Sequence, residues 1–219
     1  MLRLLVLASG RGTHAVNLIE ATRDGRISGE VVRVVSDRPD AAVLEEVRAL
    51  GVAAQVLTPP AKGAHLGPEA EQTLLEIVRD DRVDLIALCG FMRLLGPEFL
   101  DRVSAPILNV HPALLPAFRG LNAQRQAIEA GVRVTGATVH FVDSGIDTGP
   151  ILLQAPLEVL PGDTEKTLSE RLLPLEHRLY VEAVQLIQGG AVRREGRRVA
   201  IDRGLSAKPP APAGADRRK

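Results

Sequence analysis

The chain has 219 residues, 45% of them hydrophobic but only 2% aromatic, so one substantial core must be filled mainly by Leu, Val, Ile and Ala, and stacking platforms for bases are nearly absent. Its 27 basic and 27 acidic residues cancel to a formal charge of zero, which argues against nucleic-acid steering and for a small-molecule partner. No apolar run is long enough to span a bilayer, and the N-terminal Leu2-Arg3-Leu4-Leu5-Val6-Leu7-Ala8 reads as a strand entering a turn, not as a signal peptide, so a soluble cytoplasmic protein without membrane partners is expected.

In chain order, short Leu- and Val-rich runs alternate with longer amphipathic ones. A strand at about 2–8 precedes a helix at about 13–24, a strand at about 30–36, a helix at about 41–50 and a short strand near 54–57. A Pro- and Gly-rich loop from Thr58 to Pro68 leads to a helix near 69–80, a fully apolar strand at 83–89 and a helix near 96–102. Strands at about 106–111 and 136–143 flank a helix near 122–130. This order predicts an α/β fold: a doubly wound, mostly parallel, Rossmann-like sheet whose ligands bind beyond the carboxyl ends of the strands. From Asp163 to Gly189 apolar residues recur at helical spacing, although Pro174 should kink or divide that helix. A hairpin follows at 192–201. Residues 1–205 are thus expected to be one catalytic domain, and the Pro- and Ala-rich 206–219 a disordered tail.

The single cysteine, Cys89, lies in an apolar run and reads as a buried structural thiol. Ser9-Gly10-Arg11-Gly12-Thr13 joins the first strand to the first helix, where free backbone N–H groups suit a bound phosphate, with Thr13 as the expected N-cap. The spacing Gly10-x-Gly12-x-x-Ala15, with Asp37 ending the second strand, also fits a dinucleotide fingerprint, so on this segment alone a nucleotide cofactor and a phosphorylated substrate are equal. Asn109 and His111, two apart on a strand, share a face, and Pro112 closes the strand after them. The strand at 136–143 delivers a loop with Asp143 and Asp147, one of which could orient an imidazole and hold its proton. His140, inside the strand, reads as a supporting group.

Taken together, Ser9-Gly10-x-Gly12, Gly90-Phe91-Met92-Arg93-Leu94-Leu95, Asn109-x-His111-Pro112-x-Leu114-Leu115-Pro116, His140-Phe141-Val142, Asp147-x-Gly149-Pro150 and Glu176-His177 resemble the phosphoribosylglycinamide formyltransferases, folate-dependent enzymes of purine synthesis. The resemblance covers about residues 2–190. It implies a catalytic trio of Asn109, His111 and Asp147. It places the substrate phosphate on the turn of Gly10, Arg11, Gly12, Thr13 and His14, and the ribose against Glu176. It assigns 10-formyltetrahydrofolate, as co-substrate, to Met92, Arg93, Leu94 and Leu95 and to the loop of Val142, Asp143, Ser144, Gly145 and Ile146. Thr13-His14 stands where the family more often has Ser-Asn, Ala113 replaces a usual Ser, and a family Arg of the loop before residue 69 has no clear counterpart, Lys62 and His65 being the candidates. Methionyl-tRNA formyltransferase and formyltetrahydrofolate hydrolase share the Asn, His and Asp pattern but carry a further domain, so the length favours a transferase acting on a small substrate, glycinamide ribonucleotide.

In such a transfer Asn109 and a protonated His111 would donate to the developing oxyanion, each worth about 3–4 kcal/mol, with Asp147 moving the proton. No metal is expected, since the five histidines at 14, 65, 111, 140 and 177 show no metal-ligand pairing. A nicotinamide oxidoreductase, using Gly10, Gly12, Ala15 and Asp37, and a non-catalytic folate or nucleotide sensor are the rival classes. An oligomer is possible but is not readable from sequence.

Overall fold

The computed structural model describes residues 1–58 and 63–202; Lys62 and the expected tail at 206–219 lie outside the described residues. The elements are β1 (Leu2–Leu7), α1 (Thr13–Arg23), β2 (Gly29–Ser36), α2 (Val43–Ala49), β3 (Ala53–Val56), α3 (Pro68–Asp80), β4 (Leu85–Leu88), α4 (Pro97–Arg102) and β5 (Ile107–His111). They continue with α5 (Ala123–Glu129), β6 (Val134–Phe141), β7 (Ile151–Glu158), α6 (Glu165–Gln188), β8 (Val192–Glu195) and β9 (Arg198–Ile201).

Seven strands form one sheet in the order β3-β2-β1-β4-β5-β6-β7, and β8 pairs with β9 as the expected hairpin. The reason β1 and β4 read as unbroken apolar runs is visible in the packing. Leu4 and Val6 of β1, with Leu85 and Ala87 of β4, face a core shared with α1, α2 and α6, while Leu5 and Leu7, with Ile86 and Leu88, face a second core shared with α3 and α4. A strand buried on both faces has no polar side to show.

Three features were not in the sequence reading. From β1 to β5 all pairings are parallel, but β6 runs antiparallel to β5, placing His140 opposite Asn109 and Thr138 opposite His111. A further strand, β7, pairs antiparallel with β6. It escaped the sequence reading because Pro156 interrupts its pattern; it is the edge strand, where a missing N–H breaks no ladder on the open side. The long helix α6 is also not divided at Pro174 but runs as 24 residues from a capping box of Thr164 and Thr167. Pro174 and Glu170, the residue whose carbonyl it deprives of a donor, are both exposed, so water can satisfy that carbonyl and the helix continues.

Candidate active site

Helix α6 ties β4 and β5 together beneath the site. The buried Tyr180 hydroxyl reaches the carbonyls of Leu88, at 3.1 Å, and Leu108, at 3.0 Å, and burial holds its pKa well above the usual phenol range. Beside it, burial likewise raises the Cys89 thiol, which stays protonated and unreactive as the sequence suggested.

The turn after β1 depends on Gly12. Its φ of +83° suits glycine, and a Cβ there would stand 2.3 Å from Cγ2 of Val43, so α1 and α2 can pack together only if this residue has no side chain. Gly12, not Thr13, is the N-cap, and Thr13 is the first helical residue; a left-handed backbone at the cap removes the geometry a threonine cap needs. With no side chain capping the helix, its first N–H groups remain available to an anion. Gly10, Arg11, Gly12, Thr13, His14 and Glu176, all expected at the substrate, line one cleft of about 690 Å³ between this turn and α6.

His14 does not turn to solvent. Its Nε2 lies 2.8 Å from Oε2 of Glu176, and its ring meets that of His177 edge to face at 4.8 Å between centroids. Burial, with the neighbouring charge of His14, pushes the His177 pKa down to about 4, so His177 is neutral at physiological pH.

A smaller pocket, about 100 Å³, opens on the other side of the Gly90–Leu95 segment. Arg93, Leu94, Leu95, Val142, Asp143, Ser144, Gly145 and Ile146, all expected at the folate, line it together with Asn109, His140 and Asp147. Met92, 58% exposed, borders the larger cleft instead. The loop from Val142 is shaped by Asp143, whose Oδ1 accepts from the Gly145 N–H at 3.1 Å and from the Thr148 hydroxyl at 2.6 Å. Gly149 lets it return, since a Cβ there would lie 1.8 Å from the Phe141 carbonyl oxygen.

Asp147 adopts φ +50°, a left-handed conformation that costs a non-glycine residue free energy and is held by the bonds of its carboxylate. Oδ2 accepts from the Gly120 N–H at 2.8 Å and stands 3.3 Å from Nδ1 of His111; Oδ1 lies 3.4 Å from the Asn109 amide nitrogen and 3.5 Å from Nε2 of His140. Burial pushes the Asp147 carboxyl up, but the bonds from His140 and Gly120 and the charges of His111 and His140 outweigh it and hold the pKa below the usual range. His111 is buried and does not line the pocket: Nε2 donates to the Phe118 carbonyl at 2.7 Å, leaving Nδ1 for Asp147. His140 commits Nδ1–H to the Phe141 carbonyl, so its Nε2 accepts from Asn109 at 3.2 Å when neutral and donates to Asp147 when charged.

The sequence reading did not find the backbone partners Phe118 and Gly120. They face inward because Phe118, Gly120 and Asn122 all take positive φ, for which Gly120 and Asn122 were the available signals. Nor did it find that Asp37 is spent. That carboxylate, 5% exposed, accepts from the Ser9 hydroxyl at 2.5 Å and pairs with Arg93 Nε at 3.0 Å, which removes it as a ribose acid for a dinucleotide. His65 makes an isolated bridge to Leu94. Among the described residues no three His, Cys, Asp or Glu side chains are grouped as a metal would need, and no helix is long and apolar enough to cross a membrane.

Residues 2–184 match the family model described as formyl transferase. The chain is 48% identical to glycinamide ribonucleotide transformylase 1 from Symbiobacterium toebii, whose crystal structure superposes with a TM-score of 0.86 over 92% of this chain and 94% of that one. It is 42% identical over 205 residues to the phosphoribosylglycinamide formyltransferase of Mycobacterium tuberculosis, covering 92% of each chain. It is 40% identical over 191 residues to the chicken trifunctional purine biosynthetic protein adenosine-3, of whose length it spans 19%. The chain therefore belongs to the formyl transferase family, in its phosphoribosylglycinamide formyltransferase group.

Proposed function

We infer that this chain transfers the formyl group of 10-formyltetrahydrofolate to the amine of glycinamide ribonucleotide. The observation that carries the reading is the adjacency of two unlike clefts across the Gly90–Leu95 segment. One is a backbone anion cradle with a carboxylate; the other is a narrow pocket holding an amide, an imidazole and an ionised carboxylate. A phosphorylated sugar fits the first, its phosphate at the start of α1 and its hydroxyls at Glu176, and a folate fits the second.

In the reaction the neutral amine attacks the formyl carbon, and the carbonyl electron pair moves to oxygen. In this reading Asn109, whose amide nitrogen contacts His140 at 3.2 Å and Asp147 at 3.4 Å, gives up the longer of these bonds to donate to that oxyanion. Collapse of the oxyanion breaks the bond to the folate nitrogen, and the proton lost by the amine must end there. Asp147, ionised at neutral pH, takes that proton and passes it on. His111, its Nε2 fixed on Phe118, directs Nδ1 at Asp147 and stabilises the ionised carboxylate before it takes the proton and again once the proton has been passed on. Its role thus runs through Asp147, which accounts for a buried ring outside the pocket.

The test is to mix the protein with 10-formyltetrahydrofolate and follow release of the free folate on adding glycinamide ribonucleotide. Release that requires both is expected. No release overturns the reading, and release without the amine would make the chain a hydrolase.

A further inference from the structure

We propose that His14 is a specificity-determining residue that forms, with Glu176, a joint site for the vicinal hydroxyls of the sugar. The proposal rests on the reading of the larger cleft as the sugar-phosphate site.

The sequence suggested that His14, in the first turn of α1, addresses the phosphate. Its ring instead lies on α6, where Glu176, His177 and Tyr180, spaced one residue and one turn apart, form a cup around it. The edge-to-face contact with His177 and a second ring contact with Tyr180, 6.5 Å between centroids, leave the imidazole little freedom. One turn along the same face of α1, the Asn17 amide donates to the His177 carbonyl at 3.1 Å, so both ends of this contact between helices are pinned. His14, not His177, is the imidazole whose ring nitrogen stands against the Glu176 carboxylate.

The 2.8 Å contact lies off the ring's N–H axis: Nε2 of His14 is buried yet has no directional hydrogen-bond partner, although it faces a carboxylate. The ring nitrogen thus stands close to a carboxylate while its hydrogen bond is left unspent, and both residues border the cleft. A sugar hydroxyl is the group that can use both, because it donates its hydrogen to Glu176 and accepts from an imidazole N–H with the same oxygen. Arg11 borders the same cleft and is the cationic side chain on the turn itself, which leaves His14 free of the phosphate.

The experiment compares KM for glycinamide ribonucleotide with KM for its analogue lacking the 2′ and 3′ hydroxyls, in wild type, His14→Leu and Glu176→Gln. His14→Leu is expected to raise KM for the ribose substrate about fivefold or more while leaving kcat within about threefold and KM for the analogue unchanged. A variant that merely distorted the cleft would raise both KM values alike, and that result overturns the proposal, as does an unchanged KM for the ribose substrate. If wild type does not distinguish the two substrates and Glu176→Gln is silent, the cleft was misread as a sugar site and the proposal falls with it. If wild type distinguishes them and Glu176→Gln abolishes the difference but His14→Leu does not, only the role of His14 fails. Should His14→Leu not fold, a double-mutant cycle of His14→Asn with Glu176→Gln decides: effects on KM that fail to add support the joint site, and additive effects overturn it.

Discussion

The two clefts that meet at the Gly90–Leu95 segment are built from different materials. The larger offers, at its turn, backbone groups: N–H groups at the start of α1, exposed by a glycine cap whose missing side chain lets α2 approach. The smaller is almost wholly a side-chain network, in which Asn109, His111, His140 and Asp147 hold one another within 3.5 Å. A backbone site survives the exchange of most side chains but fails if the chain cannot turn. A network site keeps its fold under substitution but loses its chemistry when any member is removed.

The largest effect should follow from breaking the network. Asp147→Asn, Asn109→Ala and His111→Ala are each expected to cut kcat by about a hundredfold or more with the melting temperature little changed, and combinations should cost far less than the product of the single effects. Near-normal single-turnover rates for His111→Ala would show that Asp147 needs no partner. The lowered pKa of Asp147 has a definite sign: the carboxylate is ionised throughout neutral pH, so its contribution to turnover should be constant there and fall only in acid below the usual range of an aspartate.

Next in size, Gly12→Ala should damage the backbone cleft and the fold together. A Cβ 2.3 Å from Val43 on a residue with φ +83° combines a clash with strain, for which a loss of about 2–4 kcal/mol in urea unfolding is expected, with a raised KM for the phosphorylated substrate. Stability that is unchanged would mean α2 can withdraw from the turn at no cost.

A smaller effect separates the clefts by pH. The folded chain refuses His177 the proton that an unfolded chain accepts between about pH 6.5 and 4, so this histidine's contribution to stability is complete above about 6.5 and is lost as pH falls towards 4. Replacing it with Asn should flatten that decline by on the order of 1 kcal/mol, allowing for its partial exposure, as read from urea midpoints at pH 7 and pH 5. Smallest of all, Arg197→Ala removes a 2.8 Å bond from the hairpin to the Thr148 carbonyl, next to Asp147, and should cost about 0.5–1 kcal/mol with a slight fall in kcat. A large fall would make the hairpin part of the catalytic support.

The sequence by itself determined the elements whose patterns are local. The doubly apolar β1 and β4, the glycine turn, the shared face of Asn109 and His111, and the hairpin could be read because each depends on neighbours a few residues away. Tertiary structure decided what depends on distant segments. Whether β6 runs parallel or antiparallel to β5 is invisible in either strand, yet it alone sets His140 against Asn109. The edge position of β7 made Pro156 acceptable in a strand, and the exposed face of α6 made Pro174 acceptable in a helix. Asp37 looked like a ribose acid until Arg93, 56 residues away, was found paired with it. His14, read from its sequence neighbours as a phosphate ligand, has its ring against Glu176 of α6, 162 residues away. A side chain's partner across the fold is fixed by packing free energy summed over whole elements, and no window of sequence contains that sum.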